Sequence, residues 1–473
     1  MWDKEESILK KLKGNMVIEL TDENTGAVET FEESNMVTNA VNNLFGINPM
    51  GIFMNVADQY DGQLVWNDNL LPICPNMIGG ILLFPKALDE DVDNLYPGSE
   101  NLPVAYASND VNTTTNTLRG SMNVTESKVI DNGYKFVWEF TPSQGNGTIA
   151  AVGLTSAKGG ANAYGSIAED DTPFLRLRKI DIGSLSDDDQ GVLFRAVEMD
   201  FENNLLYSIA YDSKTVVISK YRIPVFNIGL NERLNDTTLT LIETKVLTCK
   251  TFKFYGSYTP YGDFIDGRDG YWYGFSNQQN SSDDATMLWI KIKKSDYSYT
   301  EGSWTLSNAA LLAVGSMKFD SYPCRVIRSV VRSGYLYVIA YDKTGMYKIN
   351  LSNSADVSFV AFGFTSANKP LGGSGSCECY VQLIGDLIIG YDFQIDINDK
   401  VIQTVGTARF ENIATPLFQY KQFLTGWGGS YGNEYHFTYL LTPYLATINN
   451  LSSAVVKNAD KTMKITYTLT EEE

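Results

Sequence analysis

The chain has 473 residues, 37 of them basic and 56 acidic, for a formal charge of −19. That length suggests about three domains. Its 44% apolar and 12% aromatic content supplies a large packed core and excludes global disorder.

The acidic balance excludes a nucleic-acid backbone or an anionic membrane surface as the main partner, since both are gripped by clustered Lys and Arg. Apolar runs such as Met77–Pro85 fall far short of the roughly 18 residues a spanning helix needs, so no membrane insertion is expected. The stretch Met1-Trp2-Asp3-Lys4-Glu5-Glu6 carries both charge signs with no apolar run behind it, and is not expected to act as a secretory signal.

Ile8, Leu9 and Leu12 share one helical face, predicting a helix over 1–14. Met16–Leu20 and Ala27–Phe31 flank an Asp/Asn/Gly cluster and predict a β-hairpin. Ser34 or Asn35 then caps a helix over Met36–Phe45, which Gly46 and Pro49 end. Residues 51–165 form a β-rich domain, with a buried run at Ile78–Phe84 and strands at Met122–Ser127, Tyr134–Thr141 and Thr148–Thr155. The Gly/Ala-rich stretch Ala157–Ala163 reads as a linker or functional loop.

From about residue 170 the texture becomes strand after strand. Leu206-Tyr207-Ser208-Ile209-Ala210-Tyr211-Asp212 returns as Leu336-Tyr337-Val338-Ile339-Ala340-Tyr341-Asp342, with Tyr271-Trp272-Tyr273-Gly274-Phe275 midway and Leu387–Asp392 as a weaker copy. Each precedes a second strand, at Val216–Tyr221, Met287–Ile292, Met346–Leu351 and Val401–Val405. A strand, a polar turn and a second strand make the hairpin of a propeller blade, which buries its faces only against neighbours. The spacing of about 65 residues exceeds the usual 40–50 per blade and requires insertions or an unrecognised blade.

The expected fold is therefore mostly β: an N-terminal helix, hairpin and helix over 1–50, the β-rich domain over 51–165, a β-propeller-like domain of five to seven blades over 170–445, and a C-terminal strand over 450–473 returning to the N-terminal hairpin. Packed β-sandwich domains are the alternative.

A single histidine, His436, removes zinc sites built on several His and weakens any Ser–His–Asp reading. It reads as a hydrogen-bonded strand residue. Five cysteines give an odd count, and only Cys377 and Cys379 lie close in sequence, so all five read as reduced thiols. The sequons at Asn112, Asn123, Asn146 and Asn235 carry little weight without secretion.

The glycine-rich runs Gly372–Gly375 and Gly426–Gly432 lack the Lys-Ser/Thr of a phosphate loop. Asp187-Asp188-Asp189 and Asp283-Asp284 read as solvated turns. Asp263, Asp266 and Asp269, at spacing three with two glycines, are the candidate Ca²⁺ ligands, without EF-hand spacing; no other cofactor is expected.

Glycan cleavage needs only two carboxylates, but no sialidase-type box is present. Non-catalytic carbohydrate binding is better supported, because sugars stack apolar faces on aromatic rings and hydrogen-bond to Asp and Asn. The candidate contacts are Trp427, Tyr431, Tyr258, Tyr261 and Trp272, with Tyr255, Tyr271 and Tyr273 nearby. Blade packing also uses alternating Tyr and Trp, so some of these rings are core candidates.

Several segments resemble a family of virion proteins from tailed phages of Gram-positive, clostridia-like bacteria. They are Glu19–Gly26, Glu33–Ala40, Asn48–Gly51, Pro103–Asp110, Arg119–Ser121, Gly133–Phe140, Asn146–Ile149 and Lys457–Leu469, within 16–160 and 450–470. The central region has no counterpart. The resemblance implies a tail-tip, baseplate or fibre component that docks to other virion proteins through 1–165 and 450–473. It implies homo-oligomerisation in the virion, synthesis in the host cytoplasm and release by lysis. The middle would then face a host-surface glycan. The alternatives are a purely architectural or capsid-decorating virion protein and a polysaccharide depolymerase.

Overall fold

A computed structural model describes residues 12–41, 78–97, 101–131, 133–156, 174–181, 187–222, 239–256, 260–278, 284–318, 324–369, 371, 378–403, 416–430, 433–441 and 444–471. The chain is mostly β and divides into two compact units.

The first unit is one ten-stranded sheet. Its strands are β1 (Leu12–Asp22), β2 (Val28–Val37), β3 (Gly80–Phe84), β4 (Ala105–Ser108), β5 (Ser121–Met122), β6 (Lys128–Ile130), β7 (Gly133–Phe140) and β8 (Gly147–Thr155), with β32 (Thr447–Lys457) and β33 (Lys461–Glu471) from far along the chain. The order is β4-β3-β8-β32-β2-β1-β33-β7-β5, with β6 on β7. The two ends of this path meet. Tyr106 bridges Arg119, and the Met122 amide donates to the Asp110 carbonyl at 2.9 Å. The sheet is thus a nearly closed barrel, which leaves few open edges.

Alternation explains its core. Met16, Ile18 and Leu20 on β1 lie opposite Tyr467, Ile465 and Met463 on β33, all buried, while the intervening residues are half-buried or exposed. The C-terminal strand thus pairs with the N-terminal hairpin along eleven residues.

Two expected helices differ. Of 1–14, residues 1–11 lie outside the described residues, and Leu12 opens β1. Ser34 and Asn35 are strand residues of β2, paired with Asn15 and Gly14, and β2 runs on to Val37. Gly14 makes room for Asn35, whose side chain occupies the space of a Cβ there. Helical backbone begins at 39–41, and its cap is Thr38: Oγ1 accepts from the Ala40 amide at 3.2 Å and donates to the Leu445 carbonyl at 2.5 Å. Long-range pairing with β1 outweighs the helical spacing of the apolar residues.

Among the described residues the second unit contains β9 (Phe174–Asp181), the helix α1 (Asp187–Phe194) and five four-stranded sheets. Blade 1 is β10 (Ala196–Asp200), β11 (Leu205–Asp212), β12 (Thr215–Arg222) and β13 (Thr240–Thr248). Blade 2 is β14 (Asp263–Asp266), β15 (Tyr271–Asn277), β16 (Asp284–Lys293) and β17 (Tyr299–Ser307). A small sheet joins β18 (Gly315–Lys318), β19 (Cys324–Ile327) and β24 (Glu378–Cys379). Blade 3 is β20 (Ser329–Arg332), β21 (Tyr335–Ile339), β22 (Gly345–Asn350) and β23 (Val357–Ala361). Blade 4 is β25 (Val381–Ile384), β26 (Leu387–Gly390), β27 (Phe393–Ile395) and β28 (Val401–Gln403). Blade 5 is β29 (Leu417–Tyr420), β30 (Phe423–Ser430) and β31 (Asn433–Leu441), completed by β9 from the start of the unit.

The cores lie between blades. Ile209, Ile218 and Leu247 of blade 1 pack on Phe264, Trp272 and Ile290 of blade 2. Phe275 and Met287 of blade 2 pack on Leu336 and Val338 of blade 3. Tyr337 and Ile339 of blade 3 pack on Ile388 and Phe393 of blade 4. Trp427 of blade 5 packs with Leu193 of α1 and Leu206 of blade 1, closing the ring. A sheet-by-sheet ring closed by a strand from the unit's opposite end is a five-bladed propeller. The sequence repeat marks the second strand of blades 1 to 4. The wide spacing between blades 2 and 3 is filled by β18 and β19.

The Asp187–Asp189 stretch opens α1 and is not a turn. Leu193 and Phe194 anchor the helix in the core.

Candidate functional site

Strand alternation decides which aromatics of β15 face which neighbour. Trp272 turns toward blade 1, while Tyr273 and Phe275 turn toward blade 3. Trp272, expected as a ligand contact, is fully buried and belongs to the blade 1–blade 2 core, so it offers no ring face to a ligand. Tyr207 on β11 and Tyr297, just before β17, flank it with ring centroids 5.1 and 6.3 Å away, and both are half-buried. Tyr297 holds a left-handed backbone (φ 58°) that sets its ring over the tryptophan, an arrangement uncommon for an aromatic residue.

Charged groups surround these rings. The Trp272 indole Nε1 donates to Glu198 Oε2 at 2.6 Å. Lys294 Nζ lies 2.8 Å from the same oxygen and 2.7 Å from Asp266 Oδ1. The Tyr297 hydroxyl donates to Glu243 Oε2 at 2.9 Å, and Lys220 lies over the Tyr207 ring.

Burial, with the neighbouring Asp266 charge, raises the Glu198 pKa against the pull of Lys294 and Trp272. Burial alone would lower the Lys294 pKa; its two carboxylate partners outweigh that, and the net direction is upward. Burial, with Glu243 accepting the hydroxyl proton, pushes the Tyr297 phenol up to about 12. Glu198 and Asp266 are thus bridged by one internal cation. The surface offers half-open aromatic faces rimmed by fixed donors and acceptors.

The residues expected from sequence are distributed differently. Asp263 is fully buried. Its Oδ1 accepts Arg325 Nε at 3.0 Å, and burial raises its pKa against that arginine. Asp266 takes Lys294 and the Arg268 amide. Asp269 accepts the Tyr273 hydroxyl at 2.7 Å. The three expected Ca²⁺ ligands therefore engage three different partners, and no group of three His, Cys, Asp or Glu suited to a metal occurs among the described residues.

Trp427 is 1% exposed, crossed edge-on by Phe418 and stacked on His436 at 5.8 Å, so it is core of blade 5. His436 Nε2 lies 2.7 Å from Thr425 Oγ1. Tyr261 is half-buried, its backbone bridging both Tyr255 and Ser316. Tyr258 and Tyr431 lie outside the described residues. Cys249 and Cys379 are buried and not in disulfides, and the Cys379 thiol donates to the Val381 carbonyl.

The site residues that sequence reasoning missed are Tyr207, Tyr297, Glu198, Lys294 and Glu243. Tyr207 stood in the repeat, but its meeting with Tyr297 depends on the pairing of blades. No family model and no curated protein matches this sequence.

Proposed function

We propose that this chain is a virion structural protein of a tailed bacteriophage, a tail-tip, baseplate or fibre component that recognises the host surface by binding cell-surface glycan without cleaving it. The observation that carries the binding role is the pair of half-buried rings, Tyr207 and Tyr297, that flank the buried Trp272 within a carboxylate and lysine rim. A sugar's apolar face stacks on such rings, and its hydroxyls bond to groups fixed in place.

The bridging of Glu198 and Asp266 by Lys294 favours binding over hydrolysis, since neither carboxylate stands free as acid or base. The described segments that resemble phage virion proteins lie in the barrel unit, which suits a docking role toward other virion proteins. Many copies on one virion would turn weak single contacts into firm attachment.

The test is binding of the labelled full-length protein to intact Gram-positive host cells, with released reducing sugar assayed in the same tube. Saturable binding without sugar release, lost in Tyr207→Ala and Tyr297→Ala, is the expected result. Absence of binding, even by a multimerised protein, would instead leave an architectural or capsid-decorating virion protein. Sugar release would make it a depolymerase.

A further inference from the structure

The outermost strand of blade 1, β13, leaves three large apolar side chains in solvent: Leu241, Ile242 and Val246 at 53, 44 and 55% exposure. Its inner edge is bonded to β12, and among the described residues no strand pairs with its outer edge. An open edge with exposed apolar side chains is a template for another strand.

The composition of β13 specifies that strand. Read outward from Thr244, its chemistry is the same in both directions: Glu243 answers Lys245, Ile242 answers Val246, Leu241 answers Leu247 and Thr240 answers Thr248. We propose that β13 pairs antiparallel with β13 of a second copy of this chain, about a two-fold axis through Thr244, to form a homodimer with a continuous eight-stranded sheet.

In that register each Glu243 faces Lys245 of the second copy and each Ile242 faces Val246. Opposite charges and β-branched side chains are favourable directly across an antiparallel ladder, and the contact is isologous, as a two-fold requires. The adjacent registers that keep residues directly opposite set Glu243 against Glu243 or Lys245 against Lys245, so charge selects the central one. The ladder to β12 passes from Lys220↔Glu243 to Tyr221↔Leu241, a β-bulge at Ile242 that keeps the regular pairing short. The dimer is therefore weak, in keeping with an interface below the standard size.

Sedimentation velocity of the full chain at about 100 µM tests it, a concentration suited to a weak interface of this kind. A reversible monomer–dimer equilibrium is expected. Lys245→Glu and Glu243→Lys each set like charges opposite one another twice per dimer, and each should weaken association at least about tenfold. Mixing the two single variants in equal amounts restores opposite charges at both positions, and should restore association. A wild-type chain that stays monomeric, a Lys245→Glu chain that dimerises as tightly as wild type, or single variants that associate no better mixed than alone would each overturn the proposal. Lys245 is exposed, and circular dichroism of each variant verifies that the blade is intact.

Discussion

Arg325 on β19 offers the sharpest test of how the propeller holds together. Its guanidinium is 5% exposed and reaches two blades at once: Nε donates to Asp263 Oδ1 at 3.0 Å, one terminal nitrogen to the Ala196 carbonyl of blade 1, and the other to the Phe264 carbonyl of blade 2 at 2.8 Å. Arg325→Met keeps much of the volume but strands a fully buried carboxylate. Breaking a buried pair from one side costs about 3–5 kcal/mol, or roughly 10 °C in Tm for a unit of this size. Adding Asp263→Asn removes the stranded charge, so the double variant should regain about half of the loss; the remainder, about 1–3 kcal/mol, reflects the orphaned carbonyls.

The pH dependence has a definite sign. In Arg325→Met the folded-state pKa of Asp263 rises further above its unfolded value, so the native state holds a proton that the unfolded state has released. Stability then falls as pH rises between the two values. The deficit relative to wild type should be smallest near pH 4 and largest near neutrality. Urea unfolding followed by tryptophan fluorescence measures both effects. A cost below about 1 kcal/mol, or a deficit that does not change with pH, would refute the reasoning.

Lys457 is 1% exposed in the barrel and donates to the Thr141 and Pro142 carbonyls and to Asn146 Oδ1, at 2.9, 3.3 and 2.9 Å. Lys457→Met should cost about 1 kcal/mol: Asn146 Oδ1 loses its donor, while the Thr141 and Pro142 carbonyls keep those of the Gln144 amide and Asn146 Nδ2. Burial brings the Lys457 pKa down to about 8, below an unfolded value near 10.4, so wild-type stability should gain over that of the variant as pH rises between the two; parallel denaturation at several pH values tests this. Gly274→Ala would place a Cβ 2.6 Å from the Phe264 ring and 2.7 Å from Ile290 Cγ2, and thermal unfolding should show a loss of about 1–3 kcal/mol from overpacking. Tyr297→Phe keeps the ring over Trp272 and loses only the bond to Glu243, so cell binding should survive it where Tyr297→Ala abolishes binding.

The β character and the repeating hairpins were legible because they rest on local alternation. Leu206–Asp212, Tyr271–Phe275 and Leu336–Asp342 each carry the period of a strand with two buried faces, and each is the second strand of a blade. The helix drawn over Met36–Phe45 failed at its start because nothing local in Ser34-Asn35-Met36-Val37 announces the partner strands at Gly14 and at Thr447–Ile448. The wide blade spacing was visible, but its cause was not. The small sheet of β18, β19 and β24 joins residues some 50 positions apart by parallel pairing, which no short window contains.

The candidate surface was harder to read for a different reason. Sequence reasoning grouped Tyr271, Trp272 and Tyr273 because they are adjacent, yet adjacency on a strand sends side chains to opposite faces. Trp272 joins Tyr207 and Tyr297 at one blade boundary. Tyr273 goes to the next, where it meets Phe275 and Asp269. The acids separate too: Asp263 and Asp266 lie at the two ends of β14 and Asp269 in the turn after it, and they reach Arg325, Lys294 and Tyr273, so equal spacing in sequence yields three unrelated partners. In a propeller the residues that act together come from neighbouring blades, about one repeat apart. A cluster within a single strand therefore splits between two interfaces, and a shared surface must be sought at matching positions of successive copies, as Tyr207 and Trp272 lie at or next to matching places in theirs.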